Sequence, residues 1–192
     1  MALARKVYRA HCVQRPKPQR DATLITPSTD VKIIQAVSRK EFAAVRDLMR
    51  EYADSLGVDL SYQNFDHELQ SLPGEYAPPA GALLLANVGD GAAGCVAIRP
   101  LAGNFCEMKR LYVRPAWRST GLGKRLAEAA LDGARRAGHG FVRLDTLPAM
   151  IAARHLYASL GFRPIAPYYK SPIAGTAFLQ LDLRSFRASP VE

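Results

Sequence analysis

The order of strand-like and helix-like segments predicts a mixed α/β (α+β) domain, with one partly antiparallel sheet flanked by helices. Three observations carry this prediction. Aliphatic and β-branched runs of strand length alternate with amphipathic helical patterns, a Gly-Asp-Gly turn joins two neighbouring runs, and a helix precedes each of the later strands. At 192 residues and 48% hydrophobic, the chain is long enough for one well-buried core.

The elements follow in order. Residues 1 to 30 carry six basic residues against Asp21 and Asp30, and "QRPKPQRDATLITPSTD" mixes prolines with charges, so this segment reads as a basic flexible arm ahead of a domain over 31 to 192. It is Arg-rich like a transit peptide, yet it has no Ser before Ser28 and a weak apolar face. "VKIIQAV" is a strand, and Ser38 with Glu41 forms a capping box for "RKEFAAVRDLMREYADSLG", which Gly57 stops. "NFDHELQSL" is a shorter helix closed by Pro73 and Gly74. "ALLLANVGDGAAGCVAIRPL" is a hairpin turning at Gly89-Asp90-Gly91, whose glycines permit positive φ, and "FCEMKRLYV" is the next strand. Residues 122 to 137 form the strongest helix, with Leu122, Leu126, Ala129, Ala130 and Gly133 on one face and Arg135 and Arg136 in its last turn. "FVRLDT" is a strand, "MIAARHLYASLGF" a helix and "AFLQLDL" a final strand, with a further strand near Phe162 to Tyr168.

Composition narrows the function. The formal charge of +9 favours a polyanionic ligand, either nucleic acid or a phosphorylated cofactor. Cys12, Cys95 and Cys106 have neither the even count of a disulfide framework nor zinc spacing, and the histidines are scattered, so no metal is assigned and a reducing, cytoplasmic compartment is expected. No apolar run reaches the ~18 residues of a membrane span, so no membrane partner is assigned. Nucleic-acid binding through the arm is not adopted, because the arm lacks interleaved aromatics apart from Tyr8.

The chemistry concentrates in "RLYVRPAWRSTGLGKRL". Gly121 and Gly123 strip side chains from the point where a strand gives way to a helix, so successive N–H groups can point at one anion while the helix dipole adds positive potential. Arg118, Lys124 and Arg125 lie nearby and Arg114 is within reach, which suits a pyrophosphate better than a single carboxylate. A Walker loop fails because Arg118 and Arg125 stand where Gly and Ser or Thr are needed, and a Rossmann fingerprint fails at Leu126.

Here the sequence resembles the GNAT superfamily of acyl-CoA-dependent N-acetyltransferases over residues 31 to 183. "MKRLYVRPAWRSTGLGKRL" is similar to the family's strand, pyrophosphate loop and helix, and "AARHLYASLGF" to its later helix and Leu-Gly-Phe segment. The resemblance implies a sheet whose fourth and fifth strands splay to admit acetyl-CoA as acyl donor. It also implies that Leu111, Tyr112 and Val113 lend backbone to the pantetheine arm, and that Arg118, Ser119, Thr120, Gly121, Leu122, Gly123 and Lys124 hold the pyrophosphate. Tyr157 matches the tyrosine that protonates the departing thiolate in many members, whereas Met150 stands where many carry Asn.

Transfer to a primary amine of a small molecule or peptide, by direct attack in a ternary complex, is the implied reaction. An ammonium of pKa about 10.4 costs roughly 4 to 5 kcal/mol to deprotonate near neutrality, so a base is needed, and Glu107 is the candidate. A non-catalytic acyl-CoA sensor is the alternative, and a monomer or homodimer is expected. For the acceptor, Asp59, Asp66 and Glu68 are candidate cation-attracting groups, and Tyr62, Phe65, Tyr76, Tyr168 and Tyr169 candidate walls. Surface acids and packed aromatics account for the same letters.

Overall fold

The computed structural model of the chain describes residues 30–186. The predicted arm, Asp30 apart, and Cys12 lie outside the described residues. The strands are β1 (Val31–Gln35), β2 (Ala82–Val88), β3 (Gly91–Pro100), β4 (Phe105–Val113), β5 (Phe141–Thr146), β6 (Arg163–Ile165) and β7 (Ala177–Asp182). The helices are α1 (Arg39–Leu56), α2 (Phe65–Ser71), α3 (Leu122–Arg136) and α4 (Ile151–Ser159). The sheet runs β1-β2-β3-β4-β5-β7-β6 and is antiparallel except at β4 and β5.

Local chemistry sets the boundaries. Ser38 accepts from the Glu41 N–H while Glu41 reaches back to the Ser38 N–H at 2.8 Å, which closes the capping box of α1, and Gly57 ends the helix at φ 63°. In the hairpin only Gly89 takes a positive φ, at 56°, while Gly91 already belongs to β3. Helix α3 buries Leu122, Leu126, Ala127, Ala130, Leu131 and Ala134. Its core stripe is thus turned toward Ala127, Leu131 and Ala134, away from the predicted Ala129 and Gly133, because the three leucines and small alanines pack on the sheet more completely than Gly133 can.

Two apolar layers sandwich the sheet. Helices α3 and α4 pack on one face over Val96, Met108, Val142 and Leu144, and α1 and α2 on the other over Leu83, Leu85, Cys95 and Ala97. Cys95 and Cys106 are buried in these layers as free thiols, pushed up to about 12 chiefly by burial. No helix among the described residues is long and apolar enough to cross a membrane.

Two departures from regular pairing position the site. β4 and β5 pair only over Phe105 to Glu107 against Phe141 to Arg143, although β4 runs on to Val113 and β5 to Thr146, so the strands part as predicted. On its other edge β4 carries a bulge: Cys95 faces Tyr112 and Ala97 faces Lys109, leaving Arg110 and Leu111 opposite Val96 alone. Arg110 sits there at φ 58°. The extra residue inverts the side-chain alternation, so Met108, Leu111 and Val113 join the α3 layer while Tyr112 turns to α1.

Candidate active site

The loop between β4 and α3 is built to present donors. After a short 3-10 turn at Pro115–Trp117, Ser119 and Gly121 both take left-handed φ, 63° and 85°, which curls the intervening amides toward one side. The N–H groups of Ser119 through Lys124 find no acceptor in the protein among the described residues; the Arg125 N–H bonds Gly121 O at 3.1 Å and Gly121 offers no side-chain cap. A Cβ placed on Gly121 meets nothing within 4 Å, and one on Gly123 lies 3.7 Å from Val113 Cγ2 and 3.9 Å from Leu156 Cδ2. The amides therefore open onto free space beside the end of β4 and the helix that carries Tyr157. The donor set fits the pyrophosphate of CoA, and acetyl-CoA bound there would supply an activated acetyl group.

Around this loop the predicted cations divide. Arg118, Lys124 and Arg125 stay exposed; Arg118 Nε donates to Val113 O at 3.0 Å and its guanidinium lies 5.8 Å from the Tyr112 ring centre. Lys124 pairs with Glu128 at 3.8 Å. Arg114, expected within reach of the loop, is tied instead to Glu51 of α1 through Nη2 at 2.7 Å and to Ala92 O through Nη1 at 2.7 Å. Glu51 provides a carboxylate that the sequence alone does not place beside it.

Where β4 and β5 part, a narrow slot passes through the sheet. From the α3 and α4 face it is lined by Met108, Leu111, Thr146, Met150 and Tyr157; from the other by Tyr52, Tyr62, Gln63, Lys109 and Asp145. Beyond Glu107 the β4 edge turned to this slot has no ladder partner. Leu111 and Val113 are half-buried and Tyr112 is buried, with its hydroxyl 3.5 Å from Glu51.

Tyr157 is buried against Phe162, ring centres 5.6 Å apart, and its hydroxyl makes no hydrogen bond among the described residues. Burial pushes its phenol well above the ordinary value and so holds it protonated. Glu107 is 1% exposed and fully engaged: Arg99 Nε donates to Oε2 at 2.7 Å, with Arg99 Nη2 in ion-pair contact with the same oxygen at 2.7 Å, and Tyr168 donates to Oε1 at 2.6 Å. Arg99 continues to exposed Glu75 at 2.9 Å. The slot lining does not include Glu107.

The predicted acceptor groups scatter. Glu68 is not free to attract a cation, because Arg110 grips it through Nε at 2.9 Å and Nη2 at 2.6 Å, and Tyr76 donates to Oε1 at 2.6 Å. Burial opposes ionisation of that carboxyl, but the Arg110 bonds hold it below its usual range. Phe65 lies under the Arg110 guanidinium at 4.9 Å and belongs with Tyr76 to the core. Asp59 accepts from the Ser61 N–H at 2.8 Å as a turn cap, and Asp66 is exposed on α2. Tyr62 does line the slot, and Tyr169 buries its hydroxyl near Asp145 without completing a hydrogen bond.

Asp145 itself was not singled out by the sequence. Its signal was the alternation of "FVRLDT": with Val142 and Leu144 in the α3 layer, Arg143 and Asp145 must face the other way. Burial pushes the Asp145 carboxyl up against the pull of Lys109, whose own ammonium is pushed down by burial. No cluster of three or more His, Cys, Asp or Glu among the described residues could hold a metal ion.

Comparison with known proteins agrees with this architecture. A sequence model of the Acetyltransferase (GNAT) family matches residues 42–162. An uncharacterized N-acetyltransferase of Schizosaccharomyces pombe is 41% identical over 138 residues, covering 71% of this chain and 85% of that protein. A Staphylococcus aureus GNAT acetyltransferase superposes with a TM-score of 0.68 at 20% identity, covering 80% of this chain and 99% of its own. An acetyltransferase of Salmonella typhimurium, whose structure is with its cofactor acetyl-CoA, superposes with a TM-score of 0.57 at 23% identity, covering 84% of this chain and 98% of its own. The chain belongs to the GNAT acetyltransferase family and is an acyltransferase.

Proposed function

We propose that the protein transfers the acetyl group of acetyl-CoA to a primary amine of a small molecule or peptide, by direct attack within a ternary complex. What supports this reading is one juxtaposition: a slot through the sheet that opens beside an uncapped helix N-terminus. The amides of residues 119 to 124 take the pyrophosphate, with Arg118 and Lys124 adding charge, and the free β4 edge at Leu111, Tyr112 and Val113 holds the pantetheine arm. The acceptor approaches from the α1 and α2 face, so the two substrates meet in the slot and no covalent acyl-enzyme is needed.

Tyr157 gives its proton to the leaving thiolate. Burial makes the phenol a weaker acid, but a thiolate forming in the same desolvated slot is raised too, which keeps the transfer within reach. A β4 N–H on the unpaired edge stabilises the developing oxyanion. Met150, at the mouth of the slot, supplies no polar contact, so backbone carries the cofactor arm there.

Thermal unfolding with acetyl-CoA, CoA and ATP at matched concentrations tests the reading. A ligand at 100 times its Kd adds about 2.7 kcal/mol, which is roughly 5 to 11 °C for a chain of this size. A shift with both CoA species and little with ATP is expected. No shift with either CoA species overturns the cofactor assignment.

A further inference from the structure

The proposed reaction releases one proton per turnover, and the acceptor's ammonium must lose it before its nitrogen can attack. The carboxylates Glu51, Glu68, Glu107 and Asp145 bear on this end of the sheet from the acceptor side. The first three are each held by an arginine: Glu51 by Arg114, Glu68 by Arg110 and Glu107 by Arg99, at 2.6 to 2.7 Å. Their lone pairs are committed to guanidinium N–H donors, and protonating any of them breaks an ion pair. Among the described residues Asp145 has no Lys or Arg nitrogen within ion-pairing distance, and it reaches the slot directly.

Its surroundings point to a ligand as well. Two buried hydroxyls near it, Thr146 Oγ1 on the opposite face of β5 and Tyr169 Oη on its own side, have no hydrogen-bond partner among the described residues. Tyr157 reaches the same slot from the opposite face of the sheet. The two groups thus stand on either side of the gap where the reacting atoms would meet.

We propose that Asp145, rather than Glu107, receives the acceptor's proton in this protein, an assignment that rests on the acetyl-transfer reading above. The acceptor's ammonium gives one proton to Asp145, and the freed nitrogen bonds to the acetyl carbon as the thioester C–S bond breaks. The thiolate takes the Tyr157 proton, and the second nitrogen proton restores the phenol. The products are the amide, free CoA thiol and one proton on Asp145. Glu107 positions: it holds Arg99 and Tyr168 and lies 3.9 Å from Lys109 Nζ, drawing that ammonium toward itself and Gln63.

Burial supports the assignment because it keeps Asp145 basic enough to hold a proton. The groups acting on it are Lys109, Arg110 and Glu107 from β4 and Tyr169 from the segment before β7, and its charge is felt in turn by Tyr52 from α1, Tyr62 from the turn that follows, Tyr157 from α4 and Tyr168. Of these Lys109, Tyr169 and Arg110 oppose the rise without cancelling it, and the two cations are turned to their own partners.

The test measures acetyl transfer to phenylethylamine, spermidine and a peptide with a free α-amino group, for wild type, Asp145→Asn, Asp145→Glu and Glu107→Gln. Acetyl-CoA affinity is measured by calorimetry on each. Asp145→Asn is expected to bind acetyl-CoA within about twofold of wild type, to lose about 100-fold or more in kcat/KM, and to lose the acidic limb of the pH profile. Asp145→Glu recovers part of the loss, and Glu107→Gln keeps the acidic limb. Asp145→Asn turnover within threefold of wild type overturns the assignment alone, as does a loss of acetyl-CoA affinity, which would make Asp145 structural. Wild type that binds no acetyl-CoA overturns the cofactor reading and this one with it. An acceptor-independent arm follows the Asp145 ¹³Cγ shift with pH: a midpoint above about 3.9 supports the proposal, and one at or below it overturns the proposal even if no amine is acetylated.

Discussion

Glu68→Gln tests how the β4 bulge is held. The substitution keeps the side-chain shape and removes the charge that faces Arg110, whose side chain is 3% exposed against 14% for Glu68. Arg110 then sits in the sheet interior without a counter-charge, at a φ of 58° that only packing and pairing maintain. Breaking one side of a buried pair costs about 3 to 5 kcal/mol. A glutamine still accepts one bond from Arg110 or Tyr76, so the loss belongs at the low end, about 3 kcal/mol, or roughly 6 to 12 °C in Tm. Urea and thermal unfolding measure it, and the pH dependence gives an internal check. Because the native carboxyl is held below its unfolded value near 4.3, the pair's contribution is present above that pH and is lost as pH falls through the native value. The gap between wild type and Glu68→Gln should close below about pH 4. A loss under ~1 kcal/mol, the worth of an exposed pair, would refute the reasoning.

Gly121→Asp puts a carboxylate among the unclaimed amides at a φ of 85°, and calorimetry should show at least a ~100-fold weaker acetyl-CoA Kd, since two lost charged hydrogen bonds exceed about 2.7 kcal/mol. Gly121→Ala meets only the backbone strain, because its Cβ touches nothing, and should keep more of the affinity than the aspartate. Tyr157→Phe should cut turnover about 100-fold while leaving the acetyl-CoA KM within a few-fold and Tm unchanged, because its hydroxyl bonds nothing among the described residues. Asp145 holds its proton to higher pH in the native state than when unfolded, so its ionisation subtracts stability as pH rises; Asp145→Asn should therefore unfold at an equal or higher temperature at pH 7.5.

The fold was legible because its signals are local. The capping box at Ser38 and Glu41, the alternation in "FVRLDT" and the leucine spacing of α3 each depend on residues within a turn or two of one another. The amide cradle was legible for the same reason, although the left-handed Ser119 that helps curl it carries no sequence mark. Arg114, Glu68 and Glu107 were misjudged as free groups because their partners lie far away in the chain, at Glu51, Arg110 and Arg99. Pairing register decides which charge meets which, and a single bulge shifts that register for everything beyond it.

The same bulge explains why the slot has two chemically different mouths. Without it Leu111 and Val113 would share a face with Glu107 and Lys109, putting aliphatic side chains on the acceptor side and Tyr112 against α3. With it the apolar residues line the side that Tyr157 and the cradle occupy, and the ionisable ones gather across the sheet around Asp145. The fold leaves unsatisfied atoms on both sides of the slot: among the described residues Thr146 Oγ1, toward the α3 layer, and Tyr169 Oη, across the sheet, have no hydrogen-bond partner, and the half-buried Asp145 carboxyl has no ion pair. Elsewhere on the same face every buried charge named above has been given a partner, at Glu68, Arg110 and Glu107. A chain that ties three carboxylates at this end of the sheet to arginines, and leaves the one that lines the slot without an ion pair among the described residues, has kept that carboxylate for a substrate.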